Sequence, residues 1–137
     1  MSAELEVKII KQIKHPEATL SLREDGIVHV FYHDNIVLDV PLQLRMAEAF
    51  NQIAETKSTY FIFEAGENVH VTKEARDNAL KLEDSTPIMA SAVIAHNLAY
   101  RLIANFFLKV QRPKGKYKVV ANMEEALKWI NSLKASV

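Results

Sequence analysis

Residues 87–109, PIMASAVIAHNLAYRLIANFFLK, constrain this chain more than any other stretch. Ile88 to Ala95 is apolar apart from Ser91 and shows no polar alternation. A short run of that kind predicts a strand covered on both faces, as in parallel sheets flanked by helices. Pro87 fits the mouth of such a strand, where a missing N–H costs no ladder bond. Asn97 is placed to cap a following helix over Leu98–Val110. On that helix Asn97, Arg101, Asn105 and Lys109 step round by about 40° each, leaving a polar stripe about a third of the circumference wide. The remainder is apolar, which exceeds what one sheet can cover. The surplus, Tyr100, Ala104, Phe106 and Phe107, is therefore a candidate interface for a second copy or another protein. The competing reading is that neighbouring elements of the same chain cover it.

A chain of 137 residues is one domain by length and long enough to bury a stable core without staples. It contains no cysteine, so disulfides, thiolate nucleophiles and Cys-based zinc sites are excluded. Seventeen basic side chains balance seventeen acidic ones, which argues against a nucleic-acid-coating protein. The first residues carry scattered charges rather than the apolar core of a signal peptide. No window approaches the roughly 18 uninterrupted apolar residues of a membrane helix, so no membrane insertion and a cytoplasmic location are expected.

Along the chain, Leu5, Ile9 and Ile13 at four-residue spacing predict a short N-terminal helix, although Val7, Ile9, Ile10 and Ile13 are β-branched and leave a strand open. Pro16 ends this arm, residues 1–16. Alternation around Asp25-Gly26 predicts a hairpin with a type I′ turn, and a second turn at Asp34-Asn35 leads to a third strand over Ile36–Val40. Pro41 opens a helix that carries Ala47, Phe50, Ile53 and Ala54 inward to about Lys57. Thr59–Phe63 reads as a strand and Thr72 as the cap of a helix with Ala75, Ala79 and Leu82 on one face. A strand at Lys116–Ala121 and a last helix capped by Asn122 follow, with Ala126, Leu127 and Ile130 inward. The order is β-β-β-α-β-α-β-α-β-α after the arm, an α/β fold with a mixed sheet flanked by helices in a single domain over residues 17–137.

That order, with REDGI at Arg23–Ile27, KEAR at Lys73–Arg76, ANFFLK at Ala104–Lys109 and EEALKW at Glu124–Trp129, resembles a family of small uncharacterised bacterial proteins of STAS, SpoIIAA-like and SEC14-like type. The resemblance spans residues 17–134. It implies a non-enzymatic interaction or regulatory module, or on the SEC14-like side a carrier of a small apolar ligand or lipid. In anti-sigma-factor antagonists of STAS type a serine at a helix N-terminus is phosphorylated, and element order puts Thr72 at that place. The Asp-Ser-Ser-Gly signature is missing; His70-Val71-Thr72-Lys73 stands instead, and Asp84-Ser85-Thr86 precedes a proline and a strand. Thr72 is thus a phospho-acceptor candidate by resemblance and a helix cap by its residues.

Chemistry-bearing residues are few. His29 and His33, four apart on a strand, lie about 13 Å from one another, too far to share a metal. Glu64, His70 and His96 stand where parallel strands end, the edge at which open α/β sheets bind ligands, and form a candidate crevice. Three separated glycines make neither a phosphate-binding loop nor a dinucleotide fingerprint, so no cofactor is expected. Lys109, Arg112, Lys114, Lys116 and Lys118 read as a solvated basic loop. The sequence expectation is a non-enzymatic module that self-associates through residues 98–110, with a small-ligand carrier as the alternative.

Overall fold

The computed structural model describes residues 7–98, 100–101, 104–105 and 116–135. Its frame is a six-stranded mixed sheet in the order β1(Ile9–Lys14), β2(Ala18–Arg23), β3(Val28–Tyr32), β5(Thr59–Ala65), β7(Ile88–Ile94), β8(Lys116–Val120). The first three strands pair antiparallel, and β3, β5, β7 and β8 run parallel. Two short strands, β4(Val37–Leu38) and β6(His70–Val71), pair with each other in a separate parallel ladder. Three helices flank the sheet: α1(Val40–Ile53), α2(Lys73–Leu82) and α3(Met123–Ala135).

The N-terminal helix expectation is overturned over its described part: residues 9–14 form the edge strand β1, with Ile13 opposite Leu20. A four-residue spacing is an even number, so it keeps side chains on one face of a strand as readily as near one face of a helix. β-Branching at Ile9, Ile10 and Ile13, together with an open β2 edge, decides for the strand. The third antiparallel member of the sheet is thus β1, and the strand expected at Ile36–Val40 shrinks to two residues outside the main sheet. Asp39 is the reason it stops there. Its carboxylate accepts the Leu42 N–H at 3.0 Å and caps α1, with Pro41 in the first turn.

The β2–β3 hairpin forms as expected, but with a different turn. Gly26 has φ +84°, whereas Asp25 is not among the residues with positive φ. Gly26 N–H donates to the Arg23 carbonyl at 2.9 Å, and Arg23 N–H donates to the Ile27 carbonyl at 2.9 Å. That is the longer hairpin loop closing on one left-handed glycine, not the two-residue type I′ turn. Asp25 is held instead by its carboxylate, which accepts Ile27 N–H at 3.2 Å and the Arg23 guanidinium at 2.9 Å.

Each face of the sheet has its own core. On one, Leu42, Met46, Ala49, Phe50 and Ile53 of α1 close over Leu20, Val28, Val30 and Phe61. Phe50 meets Phe61 edge-on with centroids 5.2 Å apart and Phe63 at 5.7 Å. On the other, Ala126, Leu127 and Ile130 of α3 close over Ile27, Ile62, Ala92, Ile94 and Val120. Those three α3 residues and the Asn122 cap (Glu125 N–H to Asn122 Oδ1, 2.9 Å) are as the sequence predicts. Strand β7 is buried from Ala90 to Ala92, yet Ile88 and Val93 are only half-buried and Met89 is exposed. One flank of β7 faces open space.

Candidate functional site: an apolar cavity and a His-Glu-His cluster

The open space is a cavity of about 530 Å³ between the α1 side of the sheet and the helices α1 and α2. Its floor is Tyr32, Phe63 and Val93 on β3, β5 and β7; Met46, Ala47 and Phe50 of α1 and Ala79 and Leu82 of α2 form the walls. The sequence explains why no side chain fills it. The residues that α1 and α2 turn toward β7 include two alanines, Ala47 and Ala79, too short to reach the sheet. Ala47 was expected in the core and instead lines this space, while Ala75 at the start of α2 is fully buried. Glu83 and Asp84, from the 3-10 turn after α2, and Lys116 and Tyr117 of β8 bring polar groups to its boundary. The volume lies in the ordinary range of small-molecule sites, and apolar walls with a few polar groups are their usual composition.

Tyr117 stands opposite Ser91 in the β7–β8 register. Its phenol titrates above the usual range, first because it is buried and second because the Glu83 carboxylate is near, with a hydrogen bond from Ser91 opposing both. Tyr32 is buried more completely, and burial alone pushes its phenol far up, so it stays neutral across all ordinary pH.

A second constellation lies at the carboxyl end of β5. Glu64 Oε2 is 2.7 Å from His96 Nε2 and its Oε1 is 2.9 Å from His29 Nε2. An ionised carboxylate only accepts, so both imidazoles present Nε2–H to it. The His29 hydrogen bond, and to a lesser degree that of His96, hold the Glu64 carboxyl below its ordinary range against the opposing pull of partial burial. The sequence placed Glu64 and His96 together, and they meet. His70 does not join them: it lies on β6, exposed, with Nε2 2.9 Å from Asn68 Oδ1. The reason is topological, because β6 leaves the main sheet to pair with β4. His29 went unnoticed because its sequence neighbours say nothing of Glu64. The two come together because β3 and β5 pair in parallel with Phe31 opposite Glu64 and His29 opposite Ile62. Among the described residues no three such side chains form a group able to hold a metal ion.

Thr72 caps α2, its hydroxyl oxygen accepting Ala75 N–H at 3.1 Å. Of the candidate interface, Tyr100 is 44 % exposed and Ala104 half-buried; Phe106 and Phe107 lie outside the described residues. Asn97 caps the turn before them, accepting Tyr100 N–H at 2.9 Å.

The family model for a domain of unknown function, DUF7793, matches residues 20–134, from β2 through α3. The chain belongs to the DUF7793 family. The match takes in every wall of the cavity and all three members of the His-Glu-His cluster, so both are features of a DUF7793 domain. No curated protein and no solved structure matches the chain. No helix among the described residues is long and apolar enough to cross a membrane.

Proposed function

We propose that this DUF7793 domain is a non-enzymatic binding module that holds a small apolar molecule in the cavity between α1, α2 and β7, in the manner of a STAS- or SEC14-like carrier. The observation that carries this reading is the cavity of about 530 Å³ itself. An unfilled apolar space of this size in a close-packed interior is costly, because its lining forfeits dispersion contacts, and a ligand restores them. Binding is read by the emission shift of an apolar, polarity-sensitive dye, Nile red, and by native mass spectrometry of protein purified from its own cell. Ala79→Trp places a large side chain in the wall. The expected outcome is dye binding by the wild type that falls about tenfold or more in this variant, with the fold intact by circular dichroism. Equal dye binding by both would end the proposal.

A second reading, self-association through residues 98–110, is favoured by the exposure of Leu98 (63 %) and Tyr100 (44 %). It expects a dimer in sedimentation at micromolar concentration that Tyr100→Glu dissociates. A monomer at high micromolar concentration sinks it.

A further inference from the structure

The cavity wall contains one polar group that the fold leaves without a partner. Tyr32 is 8 % exposed and its backbone is fixed at the end of β3, opposite Ala18 on one side and Ala65 on the other. No described residue hydrogen-bonds its phenol, whereas the Tyr117 phenol has Ser91. Burying a hydroxyl with no partner costs more than a hydrogen bond ordinarily returns, so a lone phenol in an apolar wall favours an occupant that completes it. The charged groups around the cavity narrow the choice. Glu64 is taken by His29 and His96. Glu83 and Asp84 are acidic, and the lining's one lysine, Lys116, is exposed at the start of the edge strand β8. A carboxylate head would meet two carboxylates there, and no cation stands beside Tyr32 to compensate it in the apolar floor. An ammonium head would have to stay near Glu83 and Asp84, away from the phenol.

Resting on the cavity reading above, we infer that the ligand is an uncharged, largely apolar molecule carrying a single oxygen, a hydroxyl or carbonyl, that hydrogen-bonds the Tyr32 phenol. The class is a fatty alcohol, aldehyde or ketone, as opposed to a fatty acid, an alkylamine or a charged phospholipid. Such a molecule leaves no ion desolvated and no buried hydroxyl unpaired.

The test is competition against Nile red by decanol, decanoate and decylamine, which share a chain and differ in the head. Decanol is expected to compete about tenfold better than either charged analogue. Tyr32→Phe, which removes only the hydroxyl, should weaken decanol about fivefold and leave Nile red unchanged. Decanethiol, whose S–H is a weak hydrogen-bonding group, should bind the wild type more weakly than decanol; this arm holds even if the variant folds poorly. Decanoate equal to decanol, decanethiol equal to decanol, or decanol unaffected by Tyr32→Phe in a folded variant would each overturn the inference while leaving Nile red in the cavity. If neither the dye nor any analogue binds, the cavity reading falls, and this inference with it.

Discussion

At Glu64 one carboxylate joins three parallel-running segments: β5, which carries it, β3 through His29, and the residues just after β7 through His96. Its depressed pKa has a definite sign in stability. The unfolded chain binds the proton more tightly than the folded one, so the contribution is complete above about pH 4.5, the unfolded value, and is lost as pH falls through the lower folded value. Glu64→Gln should therefore lose about 1 kcal/mol at pH 7, discounted because His96 is half in solvent, and the difference from wild type should shrink toward pH 3. Urea unfolding across that range measures it; a gap that widens in acid would refute the assignment. Gly66 makes a sharper case. A Cβ at this position would collide with the Asp34 carboxylate and lie 3.0 Å from the Asp34 backbone nitrogen. That carboxylate is held in place, accepting Glu67 N–H at 2.8 Å, and Gly66 N–H donates to the Tyr32 carbonyl at 2.8 Å. Gly66→Ala should cost about 1–3 kcal/mol by overpacking, read as a fall in Tm, and because it disturbs the end of β3 it should also weaken dye binding near Tyr32.

Among the elements, α2 is the least anchored. One of its residues, Ala75, is fully buried; Ala79 and Leu82 only border the cavity, and Gln43 of α1 supports it by donating to the Ala75 carbonyl at 2.7 Å. Its start depends on Thr72, so Thr72→Ala should cost about 1 kcal/mol and Thr72→Ser much less, measured by denaturant unfolding. A helix with so little buried surface is the wall most able to yield to a ligand. Hydrogen exchange in α2 should slow when the dye binds, more than in α3, whose Ala126, Leu127 and Ile130 are all fully buried. Equal slowing in both helices would count against a cavity bounded by α2. Here the residues alone foretell much: the capping roles of Thr72, Asn97 and Asn122 are all as expected, because a cap is a contact across three residues. They foretell β1 poorly, since Ile9, Ile10 and Ile13 suit helix and strand alike until β2 offers an edge.

For the whole molecule, the sheet passes from an antiparallel meander at β1–β2–β3 to a parallel half at β3–β5–β7–β8, with a separate core on each face. The central strands β5 and β7 carry ladders on both edges, while β1 and β8 each present one edge without a described partner. Amide exchange should accordingly be slowest in β5 and β7 and fastest in β1 and β8; the reverse ranking would contradict this strand order. By itself the sequence determined the α/β class, the hairpin at Asp25-Gly26, the buried centre of β7 and the inward face of α3, all of which follow from side-chain periods and turn chemistry over a few neighbouring residues. Only the tertiary structure decided that β1 completes the sheet, that β4 and β6 leave it, that His29 reaches Glu64 while His70 does not, and that Ala47 and Ala79 border an open space. These depend on which strands lie side by side and on how far helices stand from the sheet. Such distances are set by residues far apart in the chain, and no local pattern encodes them.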